Sequence, residues 1–232
     1  MASTVAKICK QIIKKTGLEC GKKIKGGVEE VCKKHMPKAP KPKPKPEDKM
    51  SEDATRFLMS MFVDNAKREI EFTERFGLKH RREGMSAELS ENIIKYAIRR
   101  LGDATCTWAC EVGDLYSDVE KVQECKSFTS TGPTSFGPHQ KWDVIYFLDA
   151  RGALEDKLVI WRIGLPSVHE FWTTLPVNKK QTKADQAGED RRPRQQWSVI
   201  QELATAKHPE AITEFYNGTF EGLFVAPPPA SA

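Results

Sequence analysis

Apolar residues recur at helical spacing in two stretches near the middle of the chain. The first lies between about residues 53 and 76 and is typical of an amphipathic helix. Its apolar positions are Phe57, Leu58, Met61, Phe62, Ala66, Ile70 and Phe72. A second helix is predicted from about 86 to 101, with Ser86 at its N-cap, because a serine hydroxyl can accept a hydrogen bond from the first free amides.

Shorter apolar runs follow, with the length of β-strands. They cover 107–112, 121–128, 142–149 and 158–163, and clusters of Gly, Ser, Pro and Asp separate them. Beyond residue 164 the pattern again predicts helices, over about 166–173, 195–206 and 208–216. A helical group, a group of strands and a further helical group favour an α/β or α+β layer with a central sheet and helices on its faces.

The N-terminal region differs from the rest of the chain in composition. Residues 1–36 are predicted to form a basic helical appendage, because short apolar patterns alternate there with lysines and with helix-breaking glycines. Residues 37–49 contain a Lys-Pro tract, which predicts a stiff, extended linker. We therefore expect one main domain over 50–225 and a disordered tail over 226–232. The appendage is either a tether to DNA, a partner or an anionic surface, or a solvated basic tail.

Charge is distributed unevenly along the chain. The net charge is +5, but residues 1–50 hold 14 Lys/Arg against 5 Asp/Glu, and the remainder holds 23 against 27. Overall basicity is therefore no evidence that the main domain binds nucleic acid. The six cysteines form no CxxC pair, so reduced structural thiols are expected rather than a zinc site. Without a secretory signal or a membrane-length apolar run, the sequence predicts an intracellular protein of the cytoplasm, the nucleus or a virion.

The segment 113–127 carries the chemistry. If 121–127 is a strand, Glu124 and Lys126 point to the same face, because side chains alternate with a period of two. Two charged residues on one face of a central strand are costly unless a function requires them. Asp114 and Glu124 can offer oxygen ligands to Mg²⁺, and the backbone carbonyl of Cys125 can complete the set. Lys126 can then orient water or stabilise charge on a phosphate.

This arrangement, Asp114 followed after nine residues by Glu124-x-Lys126, resembles the PD-(D/E)xK nuclease superfamily, to which most type II restriction endonucleases belong. Gly113 stands where the nominal proline of the family would be. The resemblance implies a restriction-endonuclease-like α/β fold with a mixed central sheet flanked by helices. It also implies a site in which Asp114 and Glu124 bind the metal and Lys126 positions or activates the attacking water.

Members of the family often add a glutamate from the preceding helix. Glu88 and Glu91 are the two candidates here. Glu91 has Ile94 and Ile98 as helical neighbours and so lies beside the apolar stripe. Glu88 has Asn92 and Lys95 as helical neighbours, which predicts that it faces outward. Glu91 is therefore the predicted auxiliary acid, with a solvated helix glutamate as the alternative.

Two segments resemble DNA-contacting parts of viral and bacterial restriction enzymes. The first, 127–138, is rich in hydroxyls and glycines. The second, 176–194, holds six basic residues between 179 and 194 within an otherwise acidic domain. Lysine and arginine neutralise phosphates, and arginine, asparagine and glutamine can pair with base edges. Mobile surface loops are the alternative. The predicted DNA-binding residues are Ser127, Thr129, Ser130, Thr131, Ser135, Asn178, Lys179, Lys180, Gln181, Lys183, Arg191, Arg192 and Arg194.

The sequence thus predicts a Mg²⁺-dependent, site-specific endonuclease that cleaves double-stranded DNA and leaves 5′-phosphates. A homodimer is expected, since a twofold axis matches a palindromic target. Two alternatives stay open: a repair or recombination nuclease of the same fold, and a non-catalytic DNA-binding or virion-associated protein.

Overall fold

The computed structural model describes residues 50–78, 84–109 and 112–225. The predicted appendage (1–36), linker (37–49) and tail (226–232) lie outside these described residues. No helix in the described ranges is both long enough and apolar enough to span a membrane.

Five α-helices and eight β-strands make up the described domain. The helices are α1 (Glu52–Phe76), α2 (Ala87–Arg100), α3 (Glu170–Thr173), α4 (Lys183–Gly188) and α5 (Trp197–Lys207). The strands are β1 (Thr107–Trp108), β2 (Leu115–Ser117), β3 (Lys121–Phe128), β4 (Pro133–Ser135), β5 (Val144–Asp149), β6 (Leu158–Ile163), β7 (Arg194–Gln196) and β8 (Ile212–Gly218). Short 3₁₀ helices cover Ala153–Glu155 and Glu221–Phe224.

Six strands form a mixed central sheet in the order β1-β2-β3-β5-β6-β8. β3 and β5 are parallel, and the other neighbours in this sheet are antiparallel. β4 and β7 form a separate antiparallel ribbon. A mixed sheet flanked by helices is the fold class that the sequence predicted, and the structure confirms it.

Each face of the sheet is covered by its own apolar cluster. On one face α2 packs against β3 and β5, and Ile93 and Ile94 lie in the same buried cluster as Cys125 and Tyr146. On the other face α5 places Trp197 and further apolar side chains over Ile145 and Phe147 of β5, in a second cluster. The central strands β3 and β5 are thus buried on both sides, which fixes their register.

Local signals in the sequence account for the helix ends. Ser86 precedes α2, and its hydroxyl accepts a hydrogen bond from the Leu89 amide, as predicted. Ser51 accepts one from the Ala54 amide at the start of α1. α1 ends at Gly77, whose φ of 65° is the left-handed conformation that glycine adopts without a steric penalty.

Several predicted boundaries are wrong. The stretch 208–216, predicted as a helix, instead leads into β8, which pairs with β6 and buries Tyr216 against the first apolar cluster. Within the described part of the run 107–112, only the two residues of β1 are strand. The predicted helix at 195–206 begins at Trp197, because Arg194–Gln196 pairs with β4. The small elements β2, β4, β7 and α4 were not predicted.

Candidate active site

Asp114 lies in the bend between β1 and β2. Its backbone N–H donates to the carbonyl of Gln123, at 2.9 Å, which holds the bend against β3. Its carboxylate Oδ2 accepts a hydrogen bond of 2.7 Å from the backbone N–H of Cys125. Asp114 is therefore held beside the middle of β3 by hydrogen bonds to the main chain of Gln123 and Cys125.

Gly113 makes this bend possible. Its φ is 77°, and a Cβ at this position would lie 2.7 Å from Cγ1 of Val122 and 2.8 Å from the carbonyl oxygen of Gln123. The bend therefore excludes both the backbone angle of proline, near −65°, and any side chain. The proline that the PD-(D/E)xK resemblance would give at this position therefore does not fit the local geometry.

Glu124 is almost completely buried, with 1% of its surface exposed. The register of β3 with β5 sets it beside Ile145, on the sheet face that α5 covers. Its Oε1 accepts hydrogen bonds from Nζ of Lys126 and, at 2.6 Å, from Nε2 of Gln140. Burial raises the pKa of Glu124 to about 7; the Lys126 ammonium lowers this pKa and the nearby Asp114 carboxylate raises it.

Lys126 lies on the same face as Glu124, as the alternation along β3 predicted. Its side chain is 14% exposed and forms an ion pair with Glu124. Its Nζ lies 3.4 Å from Oε1 of Gln140 and 5.9 Å from the centroid of the Phe136 ring. The ammonium thus sits between a carboxylate, an amide oxygen and an aromatic face, and does not point into the apolar interior.

Gln140 is the residue of this site that the sequence analysis missed. Its amide donates to Glu124, and its Oε1 accepts from the Gly137 backbone N–H and lies beside Lys126. It stands in the connection between β4 and β5, at no fixed spacing from the Glu-x-Lys pair. The only signal in the sequence is that Gln140 comes shortly before β5. Because β5 lies beside β3 in the sheet, a residue just before β5 can reach the Glu-x-Lys pair.

Loss of the Gln140 amide should impair the site without unfolding the domain. In Gln140→Leu, Glu124 and Lys126 lose a shared partner that fixes their orientation, so we expect DNA cleavage to fall about 10- to 100-fold. Single-turnover cleavage measures this effect, and Gln140→Glu serves as a second variant that keeps only an acceptor. Unchanged rates in both variants would show that Gln140 does not position the pair.

The donor set suits a hard divalent cation. Mg²⁺ retains several waters and is usually held by one or two carboxylates, so Asp114 and Glu124 suffice in kind and number. The backbone N–H of Cys125 donates to Asp114, so the main chain of Cys125 lies against one of these two carboxylates. Among residues 50–78, 84–109 and 112–225, no three His, Cys, Asp or Glu side chains form a group that could hold a metal.

Glu91 approaches the site from the other side of β3. It lies on α2, which packs on the Cys125 face of the strand, and it is partly buried. Its charge, with those of Asp114 and Glu124, adds to burial in raising the pKa of the Cys125 thiol. Even so, Glu91 does not complete a metal-holding group with the other two.

Glu88 is exposed, as predicted, although the reason given for it was wrong. Its helical neighbours Asn92 and Lys95 predicted a solvent-exposed side of α2, but both side chains are fully buried. The Asn92 amide instead donates to Thr55 of α1, and Lys95 lies 5.9 Å from the Trp108 ring centroid. α2 is therefore covered both by the sheet and by α1.

An open cleft of about 500 Å³ lies beside the acidic pair. Its lining joins the bend before β2, the buried strand β3 and the connection after β4. The lining residues are Val112, Gly113, Asp114, Glu124, Gly137, Pro138, His139, Gln140 and Lys141. The partly buried Asp114 and the buried Glu124 therefore both line a cleft that is open to solvent.

The two segments predicted to contact DNA meet in the structure. β4 from the first segment pairs with β7 at the end of the second, with Ser135 opposite Arg194. Beside this ribbon lies a groove of about 650 Å³, lined by Ser127, Thr129, Ser130, Gly132, Thr134 and Arg194 together with Gly84, Met85, Phe128 and Pro133. Four of the predicted DNA-binding residues therefore share one groove that begins directly after Lys126.

The remaining predicted DNA-binding residues are placed differently from one another. Lys179, Lys180, Arg191, Arg192 and Thr131 are exposed. Ser135 is partly buried.

Three of the predicted residues are engaged within the domain. Asn178 Oδ1 accepts hydrogen bonds from the amides of Lys180 and Gln181, and the side chains of Asn178 and Gln181 bond to each other. Lys183 is buried, with Nζ 5.1 Å from the centroid of the Trp142 ring, and burial lowers its pKa. In this structure Lys183 offers no exposed charge to a phosphate.

The fold and this cluster together define a protein of the restriction-endonuclease-like α/β class. A family model described as Bsp6I restriction endonuclease matches residues 62–206. This match covers more than half of the chain, and the chain therefore belongs to the Bsp6I restriction endonuclease family.

One curated relative is similar over part of its length. The type II restriction enzyme Bsp6I of Bacillus sp. (strain RFL6) is 36% identical over 81 residues, which are 35% of this chain and 44% of the relative. The aligned stretch thus spans less than half of that relative. No solved structure matches the chain.

Proposed function

We propose that the chain is a type II restriction endonuclease of the PD-(D/E)xK superfamily, which hydrolyses phosphodiesters of double-stranded DNA with Mg²⁺ and leaves 5′-phosphates. One observation carries this proposal: Asp114 and Glu124 line one cleft beside β3, and Lys126 forms an ion pair with Glu124 there. Membership of the Bsp6I restriction endonuclease family supports the same reading.

The proposed roles follow from the contacts. Asp114, which is partly buried, and Glu124, which is buried, would hold the cation together with the Cys125 carbonyl. Mg²⁺ supplies charge stabilisation at the phosphate and a more acidic water. Lys126 orients the attacking water or stabilises charge on the phosphate. Water adds to phosphorus and the bond to the 3′ oxygen breaks, so the products carry a 5′-phosphate and a 3′-hydroxyl.

Glu91 is proposed as an auxiliary acid. It lies on α2, which packs on β3, and its charge adds to the shift in the pKa of the Cys125 thiol between the proposed ligand Glu124 and Lys126. Glu91→Gln should therefore raise the Mg²⁺ concentration needed for half-maximal cleavage. The increase should be smaller than the one caused by the loss of Asp114.

The groove beside the ribbon is the proposed path of the DNA backbone. Its hydroxyls can bind phosphate oxygens, and Arg194 can neutralise a phosphate or pair with a base edge. Exposed Arg191 and Arg192 extend the positive surface toward the cleft-lining His139, whose ring lies 3.2 Å from Asp190. DNA lying in the groove would bring its backbone to the strand that carries Lys126.

Removing Arg194 should weaken DNA binding in a salt-dependent way. If Arg194 binds a phosphate, the logarithm of the DNA-binding constant should fall less steeply with the logarithm of the salt concentration in Arg194→Ala. The magnitude of this slope should decrease by about 1 for every DNA sequence tested. Titrations of a duplex by fluorescence anisotropy at several salt concentrations measure this slope. Lys157→Ala, an exposed cation after the first 3₁₀ helix, is the control. Equal slopes in Arg194→Ala and Lys157→Ala would show that Arg194 does not contact a DNA phosphate.

A homodimer is proposed because two copies of the site match the two strands of a palindromic target. An intracellular location, where the enzyme would meet DNA, is proposed with it. The proposed function predicts that purified protein cuts unmodified plasmid at fixed sites when Mg²⁺ is added and stops when it is chelated. Binding without cutting would favour a non-catalytic DNA-binding protein, and cutting of branched or damaged DNA alone would favour a repair nuclease.

A further inference from the structure

The ribbon of β4 and β7 has one face that carries exposed polar side chains. The register sets Gln196 opposite Pro133. It sets Arg194, two residues earlier in β7, opposite Ser135. In an antiparallel pair, opposite residues and residues two apart along a strand share a face, so these four side chains form what we call the outer face. Pro133, Arg194 and Gln196 are exposed there, and Ser135 is partly buried.

The other face of the ribbon is used within the domain. Thr134 is buried on this face, and its hydroxyl donates to the backbone carbonyl of Gln195, at 3.2 Å. The side-chain amide of Gln195 donates to the backbone carbonyl of Pro176. The outer face is therefore the one that the ribbon can present to a partner.

Both ends of the ribbon are anchored in the domain. Phe136 follows β4 directly and Trp197 follows β7 directly, and both side chains are buried in the second apolar cluster. The amide of Phe136 also donates to the carbonyl of Pro193, at 2.9 Å, which closes the ribbon at one end. Side chains on strands that are fixed in this way can be placed accurately against a ligand.

Gln196 also occupies the N-cap of α5, where its residue type is unusual. Ser, Thr, Asp and Asn are preferred at an N-cap, because their short side chains bond the first free amides of the helix. The side chain of Gln196 is exposed and makes no hydrogen bond to the amides of α5, all of which the structure describes. Departures from a local rule of this kind are expected at functional positions.

The outer face suits the major groove of double-stranded DNA. This groove admits a two-stranded β-ribbon, and each base pair presents a distinct set of hydrogen-bond donors and acceptors in it. The amide of glutamine has both donors and an acceptor, so it can form two hydrogen bonds with one base pair. The six residues of the ribbon include one arginine and no acidic residue, so no charge in the ribbon opposes the phosphates.

Arg194 and Gln196 differ in their position relative to the groove proposed as the path of the DNA backbone. Among the described residues, Arg194 lines this groove of about 650 Å³ and Gln196 does not. Residues two apart along a strand are separated by about 7 Å. An Arg194 side chain in contact with a phosphate therefore leaves Gln196 beyond the backbone, on the side where a base edge can lie.

We propose that the outer face of the ribbon enters the major groove and that Gln196 reads one base pair of the recognition sequence, while Arg194 holds the backbone. The inference rests on the proposed function, which makes double-stranded DNA the substrate. It goes further by assigning a residue that sets part of the sequence specificity.

Gln196→Ser in the full chain tests this inference. Serine is too short to form both hydrogen bonds to a base pair, but it can cap α5, so the thermal unfolding midpoint should not fall. Each chain selects duplexes from a randomised pool by binding, with Ca²⁺ in place of Mg²⁺ at the carboxylates. The unsubstituted chain should select one sequence. Gln196→Ser should lose its preference at one base pair of that sequence and at its symmetry mate, where discrimination falls about 10- to 100-fold.

Two further variants serve as controls. Gln201→Ser is the matched control, because it makes the same substitution on α5 outside the ribbon, and it should select the same sequence as the unsubstituted chain. Arg194→Ala should keep the base preference and bind every duplex more weakly. At the affected pair, hypoxanthine in place of guanine, or diaminopurine in place of adenine, changes only the minor groove. Binding by the unsubstituted chain should therefore stay the same with these analogues.

Four results would overturn the inference: unchanged discrimination at every position in Gln196→Ser, an equal loss at all positions, no preferred sequence for the unsubstituted chain, or weak binding to the minor-groove analogues. The proposed function fails in a different way. If the unsubstituted chain selects a sequence and does not cut it with Mg²⁺, the restriction activity is contradicted and the role of Gln196 in binding is retained.

Discussion

Replacing Glu124 by glutamine should abolish DNA cleavage while leaving the fold intact. The substitution removes a metal-binding oxygen and the anion that pairs with Lys126, so we expect the single-turnover rate to fall at least ~10³-fold. Burial raises the pKa of Glu124 to about 7. The folded protein therefore binds the Glu124 proton more tightly than the unfolded chain does. This contributes to the free energy of unfolding at low pH, and the contribution is lost as the pH rises from the usual glutamate range through about 7.

Glutamine resembles the protonated form, so Glu124→Gln should not lower the thermal unfolding midpoint at pH 7.5 in metal-free buffer. Asp118→Asn is the control, because Asp118 is an exposed carboxylate four residues from Asp114 and outside the cleft. It should cleave normally. Cleavage by Glu124→Gln within a few fold of the unsubstituted rate would contradict the assigned role of Glu124.

Replacing Gly113 by proline, the residue at this position of the PD-(D/E)xK pattern, should destabilise the fold and reduce cleavage. Gly113 has a φ of 77°, which proline cannot adopt, and the bend it forms is pressed against Val122 and the Gln123 carbonyl. We expect Gly113→Pro to cost about 3 kcal/mol or more of unfolding free energy and to displace Asp114 from Cys125. A displacement of about 1 Å at a catalytic group can cost ~10²-fold in rate.

Gly113→Ala separates strain from crowding. Gly77 has a similar φ of 65°, but a Cβ there meets nothing within 4 Å, so Gly77→Ala should cost only about 1–2 kcal/mol. Gly113→Ala adds two close contacts to the same strain and should destabilise the domain further, with reduced cleavage. Urea denaturation of both variants measures the difference. Equal stability of the two, with full activity of Gly113→Ala, would show that the bend is not fixed as described.

The catalytic strand could be predicted because its signals are local. The bounds 121–128 follow from an apolar run between turn residues, and the strand period places Glu124 and Lys126 on one face. Asp114 needed only a turn that returns the chain beside β3. Ser86 and the two long helices were likewise predictable from capping and helical periodicity.

The missing parts of the site depend on contacts between distant segments. Gln140 joins Glu124 only because β5 enters the sheet parallel to β3, and no spacing along the chain encodes that pairing. The ribbon of β4 and β7 links segments about sixty residues apart. For the same reason, the sequence alone could not show that Ser127, Thr129 and Ser130 share a groove with Arg194.

The errors in the predicted elements have a related cause. The stretch 208–216 contains residues that suit a helix, but β8 satisfies its backbone by pairing with β6 and buries Tyr216. Lys95 and Asn92 were read as a polar face of α2, although α1 and the ring of Trp108 enclose them. In both cases tertiary packing overrides the local preference.

Digestion of a sequenced, unmodified plasmid, with every fragment end then sequenced, tests the proposed activity most directly. We predict cuts at one recurring sequence, each end bearing a 5′-phosphate, in reactions that contain Mg²⁺ and not in those that contain a chelator. Intact plasmid at every Mg²⁺ concentration, or ends scattered without a common sequence, would contradict a site-specific nuclease built on Asp114, Glu124 and Lys126.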